Sequence, residues 1–261
     1  MMKAKRKHSN LLAALLVTAS ASFGLVHLDK VSLMPLTVEA VTAQAETLSP
    51  KEHAEDILAT LLDVYPSEQL PTFVLTEQTP EYVTAATTGS ADQANFNILY
   101  FAEESAIEVD DQQLNQLTPI AAFEKETFET EEEAIEAVNQ ILDLQGEAVD
   151  LGYDLTGYMQ GAAGSTYLNW QEGNWSLVVR ANNAEEEDPV ALAQAVVDYL
   201  EDVYLPAPET VGQITLGTSP TEEYDSNTIV WQEGNVLYRV SHFDAMQAIK
   251  MAGSISEPTE Q

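Results

Sequence analysis

Cysteine is absent from the chain, which excludes a disulfide framework, a thiolate nucleophile, a zinc–cysteine site and a lipidated cysteine at a signal cleavage point. Basic residues are scarce: 10 Lys and Arg stand against 43 Asp and Glu, a formal net charge of −33. Beyond Ala45 only Lys51, Lys125, Arg180, Arg239 and Lys250 are basic. Phosphate recognition depends on clustered Lys and Arg, so nucleic acid is excluded as a partner, and an anionic membrane surface would repel the chain. Histidine is nearly missing too. His53 and His242 are the only two beyond the N-terminal segment, and neither lies in a His-Glu-x-x-His frame. There is no Gly-x-Ser-x-Gly, no phosphate loop and no Gly-x-Gly-x-x-Gly. These gaps nominate no catalytic residue, cofactor or metal set, and they favour a non-enzymatic protein over the alternative, a hydrolase working with Asp and Glu alone.

Long apolar runs are confined to the N-terminus. Lys3, Lys5, Arg6 and Lys7 precede an apolar core from Leu11 to about Ala19 and the small-residue site Ala19-Ser20-Ala21, the three parts of a secretory signal peptide. A second such site, Ala43-Gln44-Ala45, makes removal by Ala45 the preferred reading. The expected location is extracellular. The alternative is cell-wall or membrane association through an uncleaved segment, although Leu11 to Leu28 is interrupted by Thr18, Ser20, Ser22, Gly24 and His27.

What the chain has in excess is acid on a patterned apolar frame. Apolar residues make up 45 % of the sequence and recur periodically, so the charge does not mean disorder. At molar salt the Debye length falls to about 3 Å, so dispersed Asp and Glu with little Lys suit a saline or alkaline medium. The alternative is a specific cationic partner: a basic protein, a polyamine or divalent ions. Glu185-Glu186-Glu187-Asp188 offers oxygen ligands for such a cation, but it equally suits a helix N-terminus.

The periodicity predicts an α+β protein, an antiparallel sheet with helices on one side. A helix from Pro50 to about Tyr65 opens on a Ser49/Glu52 capping box. Together with strands at Thr72–Leu75, Asn95–Phe101 and Ala121–Phe128 and a helix from Thr130 to about Leu144, it fills residues 46–148. Two further units, 149–208 and 209–261, repeat the order of three strands and a helix. Their helices start at Asp188-Pro189 and Asp244. The duplication is explicit in one pentapeptide, Trp170-Gln171-Glu172-Gly173-Asn174, which returns 61 positions later as Trp231-Gln232-Glu233-Gly234-Asn235. Each copy holds a tight-turn sequence between alternating strands.

Either turn register places Leu168, Trp170, Trp175, Leu177 and Val179 on one face, matched by Ile229, Trp231, Val236, Tyr238 and Val240. Core packing is the favoured use of these aromatics. The alternative is a platform for a small apolar ligand. Glu172 and Glu233 are read as turn residues rather than an acid/base pair. Arg180 and Arg239 share the opposite face and are the only ligand-binding candidates, with ion pairing to nearby carboxylates as the simpler use.

The segment from Val149 to Ser254 carries Asp150-Leu151-Gly152-Tyr153, the first Trp-Gln-Glu-Gly, Leu205-Pro206-x-Pro208, the second Trp-x-Glu-Gly and Met251-Ala252-Gly253-Ser254. In these it resembles exported proteins of unknown function from Gram-positive, Bacillus-type bacteria. The resemblance implies the compartment and no activity. An expected function follows: a secreted or wall-associated protein that binds a partner or ligand. The alternative from another class is an acyl-chain carrier similar to periplasmic lipoprotein carriers, with lipid cupped between sheet and helices.

Overall fold

The computed structural model describes residues 48–90, 92–219 and 221–255; the export segment expected in residues 1–45 lies outside them. Helix starts follow from local chemistry. In α1 (Pro50–Val64) the Ser49 hydroxyl and the Glu52 carboxylate cap each other's backbone N–H. Thr130 and Glu133 do the same for α2 (Glu131–Ala137). Asp188 and Asp244 cap α3 (Pro189–Leu200) and α4 (Ala245–Gly253).

The strands are β1 (Tyr82–Gly89), β2 (Phe96–Glu103), β3 (Ala121–Thr127), β4 (Glu147–Gly152), β5 (Leu155–Ala162), β6 (Ser165–Glu172), β7 (Trp175–Asn182), β8 (Gly212–Gly217), β9 (Asn227–Glu233) and β10 (Val236–His242). They form one mixed ten-stranded sheet in the order β1-β2-β3-β10-β9-β8-β7-β6-β5-β4. Together with the four helices this makes the described chain α+β. The boundaries expected near residues 148 and 208 fall inside a single compact unit, and no described helix is long and apolar enough to cross a membrane.

Two parts of the expected architecture need correcting. The sheet is not wholly antiparallel: β7 and β8 run parallel, because α3 carries the chain over the sheet between them, and a strand reached by such a crossover returns in the same direction. Nor do the helices share one side. On the first face α1, α3 and α4 contribute Ile57, Leu61, Val196, Val197, Ala248 and Ile249 to the main core, against Trp170, Leu177, Ile214, Ile229 and Trp231. Helix α2 covers the second face, where Ile135 and Val138 meet Val230 and Leu237. Those two strand residues are one position out of phase with Trp231 and Tyr238, so they point the other way.

Individual elements differ as well. Residues Phe73–Leu75 form a 3-10 turn, not a strand. The first strand is β1, whose Thr- and Ala-rich run carries little apolar alternation. The second unit has four strands: the run expected from Val149 to Leu155 is the second half of β4 and its turn at Tyr153-Asp154, and β5 is an additional strand that pairs back on it.

The largest departure is the helix expected to reach Leu144. It ends at Ala137, Asn139 takes a left-handed φ of 54°, and Ile141, Leu142 and Leu144 are exposed. Distance explains this. Six strand spacings separate β10, beneath α2, from edge strand β4, which is about 29 Å at ~4.8 Å each. Residues 138–146 would span only about 14 Å as helix but about 30 Å extended. The segment therefore crosses the second face as an extended strap. Gln140 Nε2 donates to Ser176 Oγ at 2.8 Å and the Ile141 N–H donates to Gln213 Oε1 at 2.7 Å.

Candidate functional site

The repeated pentapeptide makes the same bonds in both copies. Its turn is Gly173-Asn174, with Trp170 opposite Leu177 and Glu172 opposite Trp175. Gly173 and Gly234 have φ of 55° and 58°, a conformation at the first turn position that glycine tolerates best. Each Gln side chain donates to its turn Gly carbonyl. Each Trp indole donates to the Glu two residues on, at 2.7 Å for Trp170–Glu172 and 2.8 Å for Trp231–Glu233. Each Asn amide reaches across to the chain leading into or out of a neighbouring strand, Pro208 O in one copy and Phe128 O in the other.

The carboxylates are therefore indole acceptors and lie on strands β6 and β9, three spacings or at least about 14 Å apart. Glycosidase carboxylates sit about 5–9.5 Å apart. Burial, above all, raises the Glu172 carboxyl above its ordinary range despite the Trp170 bond. Two members of the acidic run at 185–188 are engaged in structure: Asp188 caps α3, and Glu187 accepts from the Asn182 N–H, Thr218 and Ser219, bonds that lower its pKa.

Both hairpin turns lie at the same end of the sheet. One cross-strand row there runs Trp175, Gly212, Trp231, Tyr238, Lys125, Phe96. Trp231 and Tyr238 stack at 5.3 Å, and Lys125 lies 6.0 Å from the Phe96 ring centre. The Trp175 ring lies over Gly212, where a Cβ would come within 2.4 Å of it.

Two recesses open along this row, separated by the Leu205-Pro206-Ala207 segment. One, about 480 Å³, has a polar margin of Glu68 and Glu233. The other, about 450 Å³, is an apolar cleft between Trp175, Leu177, Leu200, Val203, Tyr204 and Ile214. Trp170 and Trp231 are each 1 % exposed and packed in the core, with Trp231 at the wall of the first recess. The indole that lines the apolar cleft is Trp175, which sequence reasoning placed in the core. Its signal was available, since the matching position of the second copy is Val236, and an aromatic that a repeat does not reproduce is free of the repeat's structural duty. Tyr204, 84 % exposed, carried no such signal.

Arg180 and Arg239 do share the second face, but three strands apart, about 14 Å across the sheet, and four residues apart along it, and they do not form one site. Arg239 pairs with Glu124 directly across β3, at 3.4 Å. Burial raises the Glu124 carboxyl, with the Arg239 charge opposing. Arg180 has no carboxylate within 4.0 Å among the described residues; its Nε donates to Ser165 Oγ at 3.1 Å. It borders a recess of about 270 Å³ beneath the strap, with Ile141, Asp143, Tyr167, Asn169 and Val178.

Both histidines are buried. His242 is fully buried, and its Nδ1 accepts the Asp244 N–H at 2.9 Å, which helps set the start of α4. Burial holds its pKa down at about 4, against about 6.5 in an unfolded chain. Between those values the unfolded state binds more protons, so this group's contribution is full above pH 6.5 and is lost as pH falls towards 4, by about 3 kcal/mol in all. Urea denaturation at pH 7 and pH 4.5 should show the stability advantage of wild type over His242→Gln shrinking at the lower pH. An advantage independent of pH would contradict a neutral buried imidazole.

No protein-family model, curated protein or solved structure matches the chain.

Proposed function

We propose that the chain is an exported, non-enzymatic binding protein of a saline or alkaline medium, which holds a compact apolar group in the cleft beside Trp175. The cleft carries the reading. Its volume falls within the range of about 300–1,000 Å³ typical of small-molecule sites, and a mainly apolar wall with few polar groups is their usual composition. An acyl-carrier role is less well supported, because the space between sheet and helices is filled by side chains such as Leu168, Ile214 and Val196 with no exposure. A short apolar group fits the cleft; a long chain has no interior to enter. The equivalent bonds of the two hairpins favour descent from a duplicated three-strand-and-helix unit, and the signal-like N-terminus with the Gram-positive resemblance favours export.

A titration with the neutral apolar dye Nile red tests the cleft. Its emission should rise and saturate with wild type, and Leu200→Asp or Tyr204→Ala should weaken binding. Equal binding by wild type and both variants would place the apolar site elsewhere.

The saline part has its own test. Repulsion among the carboxylates should be screened, so the melting temperature should climb by several degrees from low to molar sodium chloride. A gain from millimolar calcium with none from sodium would replace this reading with a specific cation site.

A further inference from the structure

We infer that the recess beneath the strap is a second site, for a small zwitterion with an apolar body, of which an aliphatic α-amino acid is the simplest example. Two observations carry this independently. Arg180 stands without an acidic partner among the described residues, in a chain whose formal net charge is −33. The other two cations whose side chains belong to the sheet are both ion-paired, Lys125 to Glu68 and Arg239 to Glu124.

The second observation is Asn169. It is 3 % exposed, lines the same recess, and its Oδ1 has no partner in the protein. Buried amides almost always find a partner. Asn169 faces Val178 across the β6–β7 ladder, and Arg180 faces Tyr167. The amide and the guanidinium therefore spring from diagonal positions roughly 7–8 Å apart, a spacing that one small molecule can bridge.

Charge selects the ligand class. A guanidinium binds a carboxylate, but a plain anion meets the repulsion of the whole molecule at long range. A zwitterion carries no net charge. Its carboxylate suits Arg180, and its ammonium suits Asp143 on the strap and the Asn169 carbonyl. Ile141 and Val178 supply an apolar wall that neither charge needs. Ile141 and Asp143 of the strap form one wall of the recess, and the volume of about 270 Å³ restricts the site to small molecules.

Isothermal titration of the full chain with L-leucine, 4-methylpentanoate and 3-methylbutylamine separates the contributions, because the last two lack the ammonium and the carboxylate respectively. L-Leucine should bind saturably and with little dependence on salt. 4-Methylpentanoate should bind more weakly at low salt and gain affinity as salt rises. 3-Methylbutylamine should bind weakest. Arg180→Gln should weaken L-leucine by about tenfold or more, as loss of a charged hydrogen bond does, with melting unchanged. Asn169→Leu should weaken binding while raising the melting temperature, because it removes a buried amide oxygen that has no partner in the protein. Absence of L-leucine binding to wild type, tighter binding of 3-methylbutylamine than of L-leucine, or full affinity in Arg180→Gln would overturn the inference. Since Trp175 and Leu200 lie on the other face, the Nile red result stands or falls separately.

Discussion

Trp170→Ala and Trp231→Ala should each lower the unfolding free energy by about 3–5 kcal/mol, the usual cost of emptying a large buried aromatic site. Both indoles are 1 % exposed and both donate to a Glu two residues on. Truncation thus removes packing and the carboxylate's partner together. The two losses should be similar, because the two hairpins make the same bonds. Trp175→Ala, at a half-buried position on the cleft, should cost clearly less, and Arg180→Ala less still, under about 1 kcal/mol for a surface polar contact. Chemical denaturation of the four variants ranks them. Near-native stability in both Trp170→Ala and Trp231→Ala would show that the pentapeptides do not anchor the core.

The next largest effect is expected at Lys125. Its ammonium meets Glu68 Oε1 at 2.5 Å with side chains only 15 % and 11 % exposed, within an aromatic row, and Tyr238 also donates to Glu68. Removing one partner of a buried pair costs about 3–5 kcal/mol, and this pair, mostly buried but at the edge of a recess, should approach the lower end of that range. Lys125→Met should therefore destabilise by roughly that amount, while Lys125→Met with Glu68→Gln should recover most of the loss because no charge is left buried. A urea midpoint for the single variant equal to wild type would mean that Glu68 swings to solvent and the pair contributes nothing. The contrast with Lys51–Glu55, an exposed pair at 3.8 Å worth no more than a few tenths of a kcal/mol, shows how one interaction type spans the range with burial.

Short-range chemistry was the legible part of the fold. The caps at Ser49, Thr130, Asp188 and Asp244 mark helix starts, and the stretch Glu172-Gly173-Asn174 marks a turn without its register, because each acts within a few residues of itself. The elements that escaped notice depend on distant partners. In β1, Ala85, Thr87 and Gly89 belong to a strand because β2 lies beside them, and in β5, Gly157 and Gly161 give little alternation to read. Ile141, Leu142 and Leu144 extend a helical apolar pattern that the span to β4 overrides. The same holds for the sites. Arg180 could be singled out by its rarity and by its phase against Trp170, but the Asn169 amide and the strap that makes the recess come from sequence positions more than twenty residues apart. Nothing local in Tyr204 distinguishes it from a core aromatic.

The pairing of β3 with β10 has a consequence in time. It joins residues 121–127 to residues 236–242 at the middle of the sheet, so β1-β2-β3 has no neighbour on its inner edge until the last hairpin exists. Closing so large a loop is entropically expensive, and chains dominated by such pairings fold slowly. A chain delivered N-terminus first therefore cannot complete its sheet before residue 242 arrives. Until then the inner edge of β3, with Phe123 beside it, must be kept from pairing with the wrong strand. The dense negative charge, by repelling a second copy, would oppose such mispairing during that interval.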